Sequence, residues 1–177
     1  MILVLVIGFI IFKVYTKTDQ GRLEWGKAML KMPVLGNLNT LQGATEFSST
    51  MATLLKAGLT VGEALEVTSK LMSNAVLAED VHSMVEKIAT GQELGNVMRQ
   101  NEYFPQVLKE MTAVGEKTGE LESTLETIAA YYTNEYNYAV QAAIAKLEPA
   151  MLIFLAIFAG FIVIALYLPM FTMYSYM

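Results

Sequence analysis

Residues 150–168 form an uninterrupted apolar run, and this run limits most strongly what the chain can fold into. It contains nineteen residues and no charged side chain. An α-helix needs about 20 such residues to cross the hydrocarbon core of a bilayer. A soluble protein would have to surround this helix on all sides, and nothing else in the chain could do so. We therefore predict a transmembrane helix over residues 148–170.

Charged residues are confined to the middle of the chain. Every Asp, Glu, Lys and Arg lies between Lys13 and Glu148, which indicates a membrane protein with a water-exposed central part. The net charge of -5 and the absence of a long basic run exclude nucleic acid as a partner. The chain contains no cysteine, which excludes disulfides, thiolate metal sites and cysteine nucleophiles.

The first twelve residues are also apolar, but as a helix they would reach only about 18 Å. They lack the basic start and the small-residue cleavage site of a signal peptide. We interpret residues 1–12 as the end of a longer transmembrane helix that is truncated at its start. The basic residues of a juxtamembrane connector over residues 13–40 predict that residues 13–148 are cytoplasmic. The tail over residues 171–177 is then extracytoplasmic.

Helical periodicity over residues 41–147 predicts an all-α, antiparallel bundle of about six helices that continues into the C-terminal transmembrane helix. Glycines mark the expected helix ends at Gly58 and Gly91, where a left-handed residue stops a helix readily. Pro105 suits the first turn of the fifth helix, which we expect to end near Gly115. Thr60 and Glu63 have the spacing of a capping box at the start of the second helix.

Few residues of the chain could act in catalysis or bind a metal ion. The chain has one histidine, His82, which we expect on the surface of the third helix rather than in catalysis. Four carboxylates could gather a hard cation, although Glu122 and Glu126 have the spacing of a solvated helix face; the four are Glu116, Glu120, Glu122 and Glu126. No nucleophile has a base at suitable spacing, so the sequence predicts a protein that is not an enzyme and has no cofactor.

Three sequence features are not explained by packing of a helical core alone. Residues 115–119 place two glycines around a charged pair, which suits a tight connection between two helices. Glu148 comes directly before Pro149 and the membrane, where a carboxylate is unfavourable unless it stays interfacial or is paired. Four tyrosines lie within residues 131–138, and they suit either a partner interface or the membrane surface.

Together these features resemble the F-domain family of type II secretion systems, whose members are inner-membrane platform proteins of type II secretion and type IV pilus machines. The resemblance follows nearly the whole chain. It is carried by Leu35-Gly36, residues 54–58, Glu63-Ala64-Leu65, Asn74, Gly91, Phe104-Pro105, residues 115–119, Leu147-Glu148-Pro149 and residues 166–171. It implies that this chain is the C-terminal half of a protein with two such modules.

The resemblance implies an inner-membrane platform protein of a type IV pilus machine, with pilins and a hexameric cytoplasmic ATPase as partners. Inner-membrane alignment proteins and a second copy of the chain, in a homodimer or higher oligomer, are further implied partners. We expect Glu116, Lys117, Gly119 and Glu120 to face the cytoplasmic partner. Glu148 and Pro149 are the expected coupling residues at the membrane. Alternatives are a secretion or competence pseudopilus platform, in which pseudopilins replace pilins, and a membrane-anchored signalling adaptor.

Overall fold

A computed structural model of the chain describes residues 19–32 and 35–174, and within these ranges all regular secondary structure is helical. This confirms the predicted all-α class. The described helices are α1 (Asp19–Lys31), α2 (Leu35–Lys56), α3 (Val61–Leu71), α4 (Ala75–Ala89), α5 (Leu94–Arg99), α6 (Gln106–Thr118) and α7 (Leu121–Tyr174).

The chain divides into two units, residues 1–137 and residues 138–177. The described part of the first unit holds α1 to α6 and the beginning of α7, and that of the second holds the remainder of α7. The predicted helix end over residues 1–12 lies outside the described residues.

The core of the first unit is apolar and receives side chains from every helix from α2 to α7. Phe47 of α2 is fully buried, and its ring centroid lies 5.2 Å from that of Phe104 in the loop before α6. Other fully buried core residues are Met51, Leu65, Leu77, Val81, Leu94, Met98, Leu108 and Leu125. The inner faces that the helical periodicity indicated therefore meet in one core.

The helix boundaries follow local sequence signals closely. Thr60 Oγ1 accepts a hydrogen bond from the Glu63 N–H, and the Thr60 N–H donates to the Glu63 carboxylate, which confirms the capping box. The side-chain oxygen of Asn74 accepts from the Val76 N–H at the start of α4. Gly58 and Gly91 have φ values of +87° and +85° just after α2 and α4, a conformation that side chains with a Cβ disfavour.

The basic connector contains more helix than its sequence indicated. Helix α1 lies within it, and α2 begins at Leu35, also within residues 13–40. Two glycines obscured the helical pattern, because glycine disfavours helix formation when the chain is considered alone. Both are buried by packing: Gly36 approaches the Leu30 carbonyl and Gly43 approaches the Leu77 side chain.

Two predicted positions around α6 need correction. Pro105 is the residue that caps α6, one position before its first turn, and the helix begins at Gln106. Gly115 does not end α6, because the helix continues to Thr118 and the left-handed residue is Gly119, with φ of +75°. The sequence offered two glycines for one helix end, and only Gly119 lies where the backbone reverses.

Helix α7 begins in the core and then becomes exposed. Leu125, Ile128 and Tyr132 are at most 3% exposed, so the first part of α7 contributes to the core. The helix includes Pro149 and continues to Tyr174, so its end lies beyond the predicted boundary at residue 170. It is the one helix in the described ranges that is long and apolar enough to cross a membrane, by length and composition.

Replacing Gly95 by alanine should destabilise the first unit. A methyl group at Gly95 would lie 2.5 Å from the Cα of Ala113, so the backbones of α5 and α6 would have to separate. We expect a loss of about 1–3 kcal/mol, as for other overpacked sites. Near-UV circular dichroism of the full chain in detergent, followed through urea unfolding, measures the loss.

Gly62→Ala is the matched control, because no atom lies within 4 Å of a methyl group at this helical position. The control should leave stability unchanged or raise it by up to about 1 kcal/mol. Equal unfolding midpoints for Gly95→Ala and the unsubstituted chain would contradict the close approach of the two helices.

Candidate functional site

The connection between α6 and α7 is closed by its own backbone. The N–H of Gly119 donates to the Glu116 carbonyl at 3.3 Å, and the N–H of Glu120 donates to the Gly115 carbonyl at 2.8 Å. These bonds satisfy carbonyls that the end of a helix otherwise leaves without partners. Residues 115–120 therefore form a short, well-ordered reversal between two helices.

Glu116 caps a different helix within the same unit. Its two carboxylate oxygens accept hydrogen bonds from the Leu94 and Gly95 N–H groups, both at 2.7 Å. Glu93, the residue before α5, makes no side-chain capping bond, so Glu116 supplies the cap across space. A negative charge is also favourable at this end of a helix. Both oxygens of Glu116 are thus engaged inside the domain.

Two glycines bring the three helices around this carboxylate close together. Gly95 of α5 faces Ala113 of α6, and Gly115 of α6 faces Thr124 of α7. A methyl group at Gly115 would lie 2.9 Å from the Thr124 side chain. Gly115, which the sequence placed in a turn, is therefore a close-contact residue in the last part of α6.

Lys117 and Glu120 are the members of the predicted partner surface that remain available. Both are exposed, and neither side chain makes a hydrogen bond or a salt bridge within the described ranges. Gly119 is exposed too, but its left-handed backbone conformation ends α6, so its role is structural. The structure thus separates the four predicted residues into a capping residue, a turn residue and two exposed charged residues without a hydrogen bond or salt bridge in the described ranges.

An ion pair joins α5 to α6 beside this region. Arg99 lies 2.8 Å from the carboxylate of Glu110, and Gln106 donates to the same carboxylate at 2.8 Å. The hydrogen bond from Arg99 lowers the pKa of Glu110 below its usual value. Because both side chains are exposed, solvent screens the pair and its effect on stability is small.

Glu148 and Pro149 lie in the second unit, within α7. Both are exposed, and the Glu148 carboxylate has no hydrogen bond or salt bridge among the described residues. Pro149 has no N–H, so the helix lacks one of its backbone hydrogen bonds there. The helix nevertheless continues through this position.

One polar cluster was not singled out from the sequence. The Asn101 side chain accepts from the Tyr103 and Phe104 N–H groups at 2.8 Å and donates to Asp80 at 3.1 Å. Lys109, only 8% exposed, donates to the Asn101 carbonyl. Burial raises the pKa of Asp80, which lines a cleft of about 380 Å³ with Asn101. The sequence feature that could have indicated this cluster is the position of Lys109 next to Leu108, on the buried side of α6.

The residues considered for catalysis or metal binding do not assemble into such a site in the described ranges. His82 is exposed on α4. No group of three or more histidine and carboxylate side chains within these ranges could hold a metal ion. Glu116 is engaged by backbone N–H groups, and Glu126 is paired with Lys56 at 3.4 Å.

These features define a class: a small helical domain whose last helix continues as an exposed apolar helix of membrane-crossing length. The family profile described as type II secretion system (T2SS), protein F, matches residues 47–169. The chain belongs to this family.

Curated relatives come from both pilus and secretion systems. The type IV pilus assembly protein PilC of Thermus thermophilus is 37% identical over 172 residues, covering 97% of this chain and 42% of the relative. PilC of Pseudomonas aeruginosa is 29% identical over 93% of this chain and 44% of the relative. The type II secretion system protein F of Pseudomonas aeruginosa is 29% identical over 92% and 40%. The chain thus spans about two fifths of the length of these relatives.

The capping role of Glu116 predicts that Glu116→Ala destabilises the domain. The change leaves the partly buried N–H groups of Leu94 and Gly95 without a partner. We expect a loss of about 1–3 kcal/mol, measured as a lower urea midpoint of the detergent-solubilised chain. Glu120→Ala is the control and should shift stability by no more than about 0.5 kcal/mol. Equal losses for the two variants would disprove the cap.

Proposed function

We propose that this chain is part of an inner-membrane platform protein of a type IV pilus machine, which couples a cytoplasmic hexameric ATPase to the insertion or extraction of pilins. The observation that carries the proposal is the likeness to the pilus protein PilC along 97% of the chain. In this role the ATPase performs the chemistry, and the platform transmits motion without catalysis of its own.

A secretion or competence pseudopilus platform is the second candidate, because a type II secretion protein F also matches most of the chain. Identity favours the pilus machine, at 37% for one PilC against 29% for that secretion protein. A membrane-anchored adaptor without an ATPase partner is less favoured, because the chain belongs to the platform family.

The proposal includes a multi-pass arrangement in the inner membrane. Residues 13–148 would be cytoplasmic and the C-terminus extracytoplasmic. Basic residues before α2 support this orientation, because such residues are enriched on the cytoplasmic side of a membrane helix. The exposed apolar part of α7 supports insertion, since side chains such as Phe154, Phe161 and Ile164 are more than 60% exposed and find a suitable solvent in lipid.

For the cytoplasmic partner we propose the surface formed by Lys117 and Glu120. Their charges point away from the core, and the short reversal at Gly119 holds them between two packed helices. Glu116 contributes to this surface indirectly, because it stabilises α5 and α6 beneath it. Loss of pilus assembly in Glu116→Ala would therefore reflect folding as well as binding.

Photo-crosslinking tests this surface. A photoreactive residue at position 117 in the full-length protein should capture the assembly ATPase in cells. The same residue at His82, which is exposed on α4, is the control and should not. Mass spectrometry identifies the captured protein, and the kind of ATPase distinguishes a pilus machine from a secretion machine. Equal capture at both positions, or capture of an unrelated regulator alone, would contradict the proposed surface.

Pro149→Ala tests the proposed coupling at the membrane. The change restores the missing backbone hydrogen bond in α7. We expect the protein to remain in the membrane and to retain ATPase capture at position 117, while surface pili decrease. Ala145→Ser, one helical turn earlier at another exposed position, is the control and should assemble pili normally. Normal piliation in Pro149→Ala would argue against a coupling role for the proline.

A further inference from the structure

Three large apolar side chains are exposed where α1 ends and α2 begins. We call this set the α1 surface; its members are Trp25, Met32 and Leu35, which are 41%, 44% and 43% exposed. Trp25 and Asn39 line one cleft of about 280 Å³, and the Asn39 side chain donates to the Leu35 carbonyl at 2.8 Å. The Gly36 N–H donates to the Met32 carbonyl at 2.7 Å. These contacts place the α1 surface in one area, at the junction of the two helices.

Helix α1 is held against the helical domain by a glycine. Gly26 is buried, and a methyl group there would lie 3.0 Å from side-chain atoms of both Asn74 and Val76. The Asn74 side chain also donates to the Gly26 carbonyl at 3.5 Å. Trp25 and Lys27, the residues on either side of this glycine, are exposed. The domain thus fixes α1 by its glycine side and leaves Trp25 partly accessible beside it.

The segment that carries the α1 surface has the opposite charge to the remainder of the chain. Residues 13–32 contain five basic and two acidic residues, a net charge of +3. The basic residues are Lys13, Lys17, Arg22, Lys27 and Lys31. All other residues together contain seven basic and fifteen acidic residues, a net charge of -8. A negatively charged partner is therefore attracted to this segment and repelled by most of the remaining chain.

We propose that the α1 surface and the basic residues around it bind the anionic phospholipid headgroups of the membrane that holds the chain. The proposal rests on the membrane insertion that forms part of the proposed function. A lipid surface suits both properties of this region, because tryptophan favours the boundary between membrane and water. Clusters of basic residues directly beside a membrane helix are attracted to anionic lipids.

The position of α1 in the chain supports this partner over others. Residues 1–12, the predicted end of a membrane helix, precede the basic segment directly. The chain from Phe12 to Asp19, where α1 begins, spans at most about 25 Å even when fully extended. Insertion of residues 1–12 therefore keeps the bilayer within reach of α1, whereas any other partner would have to reach the same region at the membrane surface.

Tryptophan fluorescence tests the contact directly, because Trp25 is the one tryptophan of the chain. The full chain is purified in detergent and reconstituted into vesicles of phosphatidylcholine, with or without phosphatidylglycerol. Both kinds of vesicle contain the same fraction of brominated phosphatidylcholine, which quenches a tryptophan that contacts the bilayer. Both leaflets have the same composition, so the orientation of the reconstituted chain does not affect the result.

We expect several-fold stronger quenching of Trp25 in the vesicles that contain phosphatidylglycerol, with a shift of its emission to shorter wavelength. In about 1 M NaCl the quenching should fall to the level of pure phosphatidylcholine, because the Debye length is then only about 3 Å. Equal quenching in the two kinds of vesicle, or no quenching in either, would overturn the proposal.

Two pairs of charge variants separate attraction at α1 from the total charge of the chain. Lys17→Gln/Lys31→Gln should need several-fold more phosphatidylglycerol for half-maximal quenching, because two basic residues near the lipid are lost. Lys56→Gln/Lys87→Gln removes the same charge outside residues 13–32 and is the matched control. Its lipid dependence should equal that of the unsubstituted chain, and equal weakening in both pairs would contradict a specific role of the basic segment.

A displaced tryptophan provides the control for position. Trp25→Phe/Ala57→Trp moves the fluorophore to an exposed position directly after α2. Because Leu35 and Lys56 are the two ends of this helix, position 57 lies about 30 Å from the α1 surface. Its quenching should be weak in both kinds of vesicle. Quenching as strong as that of Trp25 would show contact of the whole domain with lipid and overturn the proposed surface.

Carbonate extraction of the same vesicles separates failure of this proposal from failure of the proposed function. A chain that resists extraction but shows no lipid-dependent quenching leaves the platform function intact and overturns the lipid contact. A chain that carbonate removes is not inserted, and this result overturns both.

Discussion

Helix α7 has two parts with different surroundings, and the rest of the structure depends on how its apolar side chains are divided between them. One part packs in the protein core, and the other is exposed. Its first part buries Leu125, Ile128 and Tyr132 and completes the core of the helical domain. Its later part exposes large apolar side chains that are stable only in lipid or against another helix. One helix thus completes the core of the helical domain and also carries an apolar surface that suits a membrane.

The fold could be predicted from the sequence wherever local signals and burial agree. The capping box at Thr60 and Glu63 and the left-handed glycines Gly58 and Gly91 follow from residue types that favour one conformation strongly. Local signals did not indicate that α2 begins at Leu35, because Gly36 and Gly43 disfavour a helix locally, whereas close packing against neighbouring residues favours it. Such packing depends on contacts between residues distant in the chain, which periodicity alone does not contain.

The candidate site also depends on contacts between residues distant in the chain, which the sequence alone does not reveal. The sequence drew attention to residues 115–119, but it treated their charges as one surface. Glu116 is engaged by N–H groups more than twenty residues earlier in the chain, and no local pattern reveals that contact. Lys117 and Glu120 have no comparable engagement in the described ranges and remain a proposed partner surface. A charged residue in a connection between helices can therefore stabilise the domain from within instead of facing a partner.

The cap that Glu116 provides also constrains the order in which the domain can form. Helix α5 has only six residues, and a helix of that length is not stable in isolation. Its first N–H groups find their acceptor in a side chain that is synthesised later. We therefore expect α5 to become stable only when α6 is present to supply this acceptor.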